Sequence, residues 1–322
     1  LHVKHIAPRS YALAADDCCP LVGLRRSGKS ALLADHVQKL VSAGISWSQI
    51  IYLDFEDVRL AEFGTEDFSD IVDASDKPSD QKAYYFFDEI QHIEGWGRFS
   101  RHLAKEGQAV CIASSTATIP MQEMAAQLGG RFAIIKVMPY SFSEYLDAQD
   151  IPHTGSAHYA TDSLGRIQRA AGTYLHASGF LEIAGLMNSR NRREFIYRRI
   201  LEHDIILPHQ IRKPDLLRSL LKMLAERTSE ETCATALTRT MGILSSRKLS
   251  PDMAASYLRA AEDAQLVFRM QGYAALSAES TPRWHFGDNG ILDLFLYNKD
   301  SLLLENAVAL ALLRRYGKDH IF

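Results

Sequence analysis

The stretch Gly23-Leu24-Arg25-Arg26-Ser27-Gly28-Lys29-Ser30 restricts what this chain can fold into more than any other. It satisfies the spacing Gly-x-x-x-x-Gly-Lys-Ser, with apolar Leu21-Val22 before it and Ala31-Leu32-Leu33 after it. A buried strand must therefore turn sharply into a helix. The glycines permit a tight loop whose backbone N–H groups point inward and wrap a polyphosphate. The helix that follows adds the positive end of its dipole at the same spot. Turns rich in Gly, Ser and Lys are common on protein surfaces, but those lack the strand and helix on either side. Gly23 through Ala31 are thus expected to bind a nucleoside triphosphate such as ATP. Lys29 would reach its β- and γ-phosphates and the Ser30 hydroxyl would take one Mg²⁺ position.

Downstream, Tyr84-Tyr-Phe-Phe87 is an apolar run suited to a central strand, and Asp88-Glu89 close it. The C-terminal ends of strands are where ligands bind in doubly wound sheets. Alone, two acids at a strand end are often simple solvation. Beside a phosphate loop they supply the two functions that loop lacks: Asp88 to hold Mg²⁺ and Glu89 to polarise the attacking water. Ile50 to Phe55, Val110 to Ser115 and Phe132 to Val137 read as further strands, with a helix from Ala31 to Ala43 ended by Gly44. Ser114 and Ser115 end one strand in hydroxyls and are candidates to meet the γ-phosphate or the lytic water, or simply form a turn. Arg131, at the mouth of the last strand, is a candidate to stabilise transition-state charge in its own site or a neighbour's, or to pair with a nearby carboxylate. Trp96, between two glycines, reads as a packing anchor.

Several function classes are set aside by composition. A formal net charge of −3 excludes a strongly basic nucleic-acid coat, though not a local basic patch. The four cysteines show neither a disulfide framework nor metal-ligand spacing, which suits reduced thiols in the cytoplasm. No apolar run approaches the roughly 18 residues that span a bilayer, and no signal peptide is recognisable. The chain opens on Leu1 and closes on Asp319-His-Ile-Phe322, so both ends are expected to be incomplete. Its 322 residues suggest two or three domains.

Taken in order, Gly23 to Ser30, Phe87-Asp-Glu-Ile-Gln91 with Gly95-Trp96, Ser114-Ser115, Leu128-Gly-Gly-Arg131 and Pro139-Tyr-Ser-Phe-Ser-Glu-Tyr145 resemble the prokaryotic predicted AAA+ superfamily ATPases. The resemblance implies an ATPase domain, then a helical lid and winged helix, then a C-terminal domain of unknown function with a restriction-nuclease-like core. Leu24 stands where relatives commonly have Pro. Ser178 and Leu181 replace the family's Gly and Pro in the segment Tyr174 to Leu181.

From about residue 147 helical periodicity takes over. A basic cluster (Arg190, Arg192, Arg193, Arg198, Arg199) is either a solvated helix face or a phosphate contact. His203 has no partner at metal-ligand spacing and reads as a surface residue. Three helical stretches, Leu216–Arg227, Ala234–Met241 and Pro251–Ala264, precede two expected strands, Gln265–Met270 and Tyr273–Leu276, joined by a tight turn at Gln271-Gly272. That order is a winged helix, with Arg247, Lys248 and Arg259 on or near its recognition helix. Asp288 and Glu305 resemble the opening of the family's C-terminal domain but do not by themselves make a nuclease site.

The expected architecture is α/β: a P-loop NTPase parallel sheet with helices on both faces, followed by a helical lid and a winged-helix domain. The boundaries run 1–146 for the ATPase domain, 147–210 for the lid, 211–276 for the winged helix and 277–322 for the start of a further domain. The expected function is Mg²⁺-dependent ATP hydrolysis driving a conformational switch. Partners would be duplex DNA or a protein, with no membrane, and an oligomer is open. The alternatives are a DNA-binding protein with nucleotide as a regulatory ligand and, less favoured, a small-molecule kinase.

Overall fold

The structure, a computed structural model of the chain, describes residues 9–11, 13, 18–73, 81–115, 121–129, 132–155, 161–177, 179–180, 189–244, 249–271 and 281–317. The chain divides into two compact units: Leu1–Gly23 with Gly28–Val137, and Leu24–Ser27 with Met138–Phe322.

In the first unit, β1 (Cys19–Gly23), β2 (Ile50–Asp54), β3 (Tyr84–Asp88), β4 (Ala109–Ser115) and β5 (Ile135–Lys136) form one sheet in the order β2-β3-β4-β1-β5. Every neighbouring pair is parallel. The connections carry α1 (Lys29–Ser42), α2 (Phe68–Asp73), α3 (Trp96–Lys105) and α4 (Met121–Gln127). Parallel strands need crossovers of this kind, and helices on both faces bury the three central strands β1, β3 and β4.

The residues of β3 show how the two cores arise. Successive strand side chains point to opposite faces. Tyr85 and Phe87 therefore enter a core with Val22, Ile112, Trp96 and Met124, while Tyr84 and Phe86 enter another with Leu21, Leu32, Leu33, Val37 and Leu40 of β1 and α1. Four consecutive aromatics satisfy both faces only because this strand is central. Each such burial contributes on the order of 2–3 kcal/mol. Trp96 is buried, as a packing anchor should be.

The second unit contains α5 (Phe142–Ala148), α6 (Thr161–Ala177), α7 (Ser189–Arg199) with a π-helix directly after it (Ile200–Ile206), then α8 (Pro214–Glu226), α9 (Ala234–Leu244) and α10 (Pro251–Asp263). Ser250 caps α10 through the Met253 N–H, and Pro251 takes its first turn, where no backbone donor is needed. Then come β6 (Val267–Met270), β7 (Arg283–Phe286), α11 (Asn289–Asp293) and α12 (Asp300–Tyr316).

β6 pairs antiparallel with β7, Val267 opposite Phe286. The second strand of the expected tight hairpin, residues 273–276, lies outside the described residues. Trp284 and Phe286 secure the pairing: the Trp284 indole N–H donates to the Thr232 carbonyl at 3.0 Å, and the Phe286 N–H donates to Asn306 Oδ1 at 2.8 Å.

Gly179 sits against backbone. A Cβ there would lie 2.6 Å from the Tyr140 carbonyl oxygen, and the Gly179 N–H donates to Asp288 Oδ2 at 2.8 Å. The other oxygen of Asp288 accepts from Ile291 N–H at 3.1 Å and caps α11. Asp288 thus has a structural task in this unit.

Candidate active site

The strand registers assemble the site. Gly23 stands opposite Ser115, and Asp88 opposite Ala113. β1, β3 and β4 run parallel, so the phosphate loop, the acid pair and the strand-end hydroxyls all emerge at one edge of the sheet. That edge is where open α/β sheets bind ligands.

The loop has the dihedral pattern expected of an anion cradle. Ser27 N–H donates to the Leu24 carbonyl at 3.0 Å. Arg26 (φ 64°) and Gly28 (φ 96°) both take left-handed backbone, and alternating handedness turns successive N–H groups toward one concave side. Gly28 contributes no side-chain cap to α1, leaving helix N–H groups available to a phosphate. Lys29 Nζ, buried, donates to the Gly23 carbonyl at 3.1 Å, which folds the ammonium back across the loop. Leu24 and Ser27 are buried, Arg25 and Ala31 are half-buried, and Arg26 and Ser30 are exposed.

Asp88 is the buried acid. Its Oδ2 accepts from the Tyr52 hydroxyl at 3.1 Å. Its Oδ1 is buried with no hydrogen-bond partner. Burial pushes the carboxyl up to about 6; the nearby Ser30 and Tyr52 hydroxyls oppose this, while the Glu89 and Asp54 charges reinforce it. Tyr52 is in turn raised, first by its own burial and then by Asp88. A buried carboxylate oxygen without a donor, beside a serine hydroxyl, is a donor set that suits a hard divalent cation. Ser30 and Asp88 would hold Mg²⁺, which would supply positive charge to neutralise a polyphosphate.

The raised pKa of Asp88 makes a stability prediction. Between about pH 4 and pH 6 the folded chain keeps a proton on Asp88 that the unfolded chain has lost. The native state then binds more protons, so stability falls as pH rises through that window. Without Mg²⁺ the loss from this group is about 3 kcal/mol by pH 7. Urea denaturation at pH 4.5 and pH 7 should show that extra slope in the wild type and not in Asp88→Asn. Equal slopes in the two proteins would rule out the assignment.

Glu89 occupies left-handed backbone (φ 52°), an uncommon state for a residue with a side chain. Its N–H is anchored to the Ala113 carbonyl at 2.9 Å. Its half-buried carboxylate accepts a hydrogen bond from the Gln91 amide, whose nitrogen lies 3.5 Å from Ser115 Oγ. Glu89 and Ser115 are thereby linked through Gln91. Ser114 instead turns its hydroxyl to the Ser115 carbonyl at 3.3 Å. Sequence reasoning misses both Gln91 and Tyr52 as site residues. Gln91 carries a faint signal, two residues beyond the acid at the start of a single helical turn. Tyr52 carries none, because its contact with Asp88 depends on strand pairing.

Arg131, Arg247 and Lys248 lie outside the described residues. Arg193 is buried and pairs with Asp293 at 3.0 Å, so this member of the basic cluster stabilises the fold. Arg190 contacts Glu194 at 3.5 Å and donates to the Leu294 carbonyl. His203 is exposed, as expected. None of the four cysteines forms a disulfide. Among the described residues no helix is long and apolar enough to cross a membrane.

Fold and site together define an α/β architecture of the P-loop NTPase kind. Residues 16–146 match the family described as an AAA domain, and residues 171–301 match a domain of unknown function. An uncharacterised protein of Haemophilus influenzae is 27% identical over 308 residues, covering 91% of this chain and 73% of that protein. An uncharacterised protein of Methanocaldococcus jannaschii is 24% identical over 301 residues, covering 92% of this chain and 66% of its own length. Among solved structures, the Walker-type ATPase of Pyrococcus abyssi shares the fold at 12% identity and a TM-score of 0.53, with 86% of this chain and 90% of that one covered.

Proposed function

We propose that this chain binds ATP with Mg²⁺ and hydrolyses it, and that turnover changes the conformation of the helical segments that follow the sheet. The observation that carries this reading is the parallel register that brings Gly23, Asp88 and Ser115 to one edge of the sheet, where Asp88 Oδ1 is buried without a hydrogen-bond partner. Loop N–H groups between Leu24 and Ala31, other than that of Ser27, hold the phosphates, and Lys29 leaves the Gly23 carbonyl to meet the β- and γ-phosphates. Ser30 and Asp88 ligate the cation. Glu89 takes a proton from a water aligned with the γ-phosphate, with Gln91 and Ser115 orienting its carboxylate. Arg131 is assigned to transition-state charge on its sequence position alone.

Water is the favoured acceptor because Glu89 stands at the strand end beside Asp88. Phosphate release from ATP by the purified chain, dependent on Mg²⁺ and without a phosphorylated acceptor, tests it. No release under any Mg²⁺ concentration would leave a nucleotide-binding protein without hydrolysis.

The reading of residues 147–210 as a lid and 211–276 as a winged helix supports a second function. Helices α8 to α10 followed by β6 lie in winged-helix order within 211–276, β6 pairing with β7 just beyond that boundary, and Arg259 on α10 is exposed. Duplex DNA added to the phosphate-release assay at low and high salt separates the two. Stimulation that disappears with salt favours DNA as partner; no effect favours a protein.

A further inference from the structure

The phosphate loop is tied to a second place in the chain that its motif does not account for. Arg25 Nε donates to both carboxylate oxygens of Asp204, at 3.1 and 3.3 Å. The Asp204 side chain is 2% exposed and that of Arg25 is 16% exposed. Asp204 lies inside the π-helix Ile200–Ile206, between the buried Leu201 and Ile205. The wider turn persists in the Leu207 N–H bond to the Glu202 carbonyl at 3.0 Å. π-helical turns are costly to keep and recur at functional sites. A carboxylate in such apolar surroundings is held only if a charged donor meets it.

The location of Arg25 gives this pair a consequence. Arg26 is the left-handed residue that bends the loop inward, and Arg25 precedes it directly. On the far side of the bend, Gly28 is fixed by the first turn of α1, where Leu32 N–H donates to its carbonyl at 3.0 Å. Before the bend, Arg25 is held by Asp204 of its own compact unit.

We infer that Asp204 is a positioning residue for nucleotide, holding the phosphate loop in its anion-receiving shape through Arg25. The inference rests on the ATP-binding reading above. Because binding linkage is reciprocal, a nucleotide in the loop must also strengthen the hold on the π-helix.

The test compares wild type, Asp204→Asn, Asp204→Glu, Arg25→Met, the double variant Arg25→Met/Asp204→Asn and Lys29→Ala. The readouts are Kd for MgATP and MgADP, the melting temperature without nucleotide, and its rise at saturating nucleotide. Asp204→Asn and Arg25→Met should each weaken both nucleotides about tenfold and reduce the nucleotide-induced rise. The double variant should be no weaker than the worse single one, and Asp204→Glu should recover most of the affinity. A lower melting temperature with unchanged Kd, or additive losses in the double variant, would overturn the positioning role. If Asp204→Asn does not fold, Arg25→Met against Asp204→Glu decides the same point. Wild type that binds no MgATP removes the ATP-binding reading and this inference with it. Wild type that binds, with Lys29→Ala blind and Asp204→Asn unaffected, removes this inference alone.

Discussion

Lys29→Ala is expected to reduce MgATP affinity by at least about a hundredfold while leaving the chain folded. A charge-assisted hydrogen bond to phosphate is worth roughly twice a neutral one, and losing it inside a cradle of N–H groups costs several kcal/mol. The folded state itself gives up less. Lys29 makes a bond to the Gly23 carbonyl at 3.1 Å, at the edge of the sheet and not within either core. Calorimetric titration with MgATP and a non-hydrolysable analogue measures the first effect, and a melting curve the second. Retained affinity would show that the loop binds no triphosphate.

Glu89→Gln has the opposite profile: nucleotide still binds, and turnover falls by about 10²–10⁴-fold, the usual worth of a positioned general base. The amide keeps the shape of the side chain and an oxygen that can still accept from the Gln91 amide, so the strand end need not rearrange. The left-handed backbone at position 89 supports the same view. Strain of about 1–3 kcal/mol is kept where the surrounding structure imposes it, and the bond from Glu89 N–H to the Ala113 carbonyl is what imposes it here. Single-turnover phosphate release alongside equilibrium binding separates the two steps. Normal turnover in the variant would move the base to another residue.

The roles proposed for Lys29 and Glu89 are legible in the sequence because they depend on near neighbours. The phosphate loop needs glycines, a lysine and a hydroxyl at fixed offsets between a strand and a helix, and all lie within one short stretch. The aromatic run Tyr84–Phe87 announces a strand buried on both sides. Asp88 and Glu89 stand out as charges at its end. The partner of β6 escapes such a reading for a related reason. Gln271-Gly272 is a locally plausible turn, whereas the described pairing joins residues well apart and depends on Trp284 reaching Thr232 and on Asn306 bonding both the N–H and the carbonyl of Phe286. Local turn signals carry no information about either.

What is written in the chain, then, is the chemistry: the cradle, its lysine, its hydroxyl, and the two acids. Each is a matter of residue type and short spacing, which backbone geometry converts directly into function. Folding adds the arrangement. The insertion of β4 between β1 and β3, the bond from Tyr52 to Asp88, the link of Glu89 to Ser115 through Gln91, and the grip of Asp204 on Arg25 all join residues far apart in sequence. Such contacts are set by strand register and by which buried charge finds a partner, and those are properties of the packed molecule.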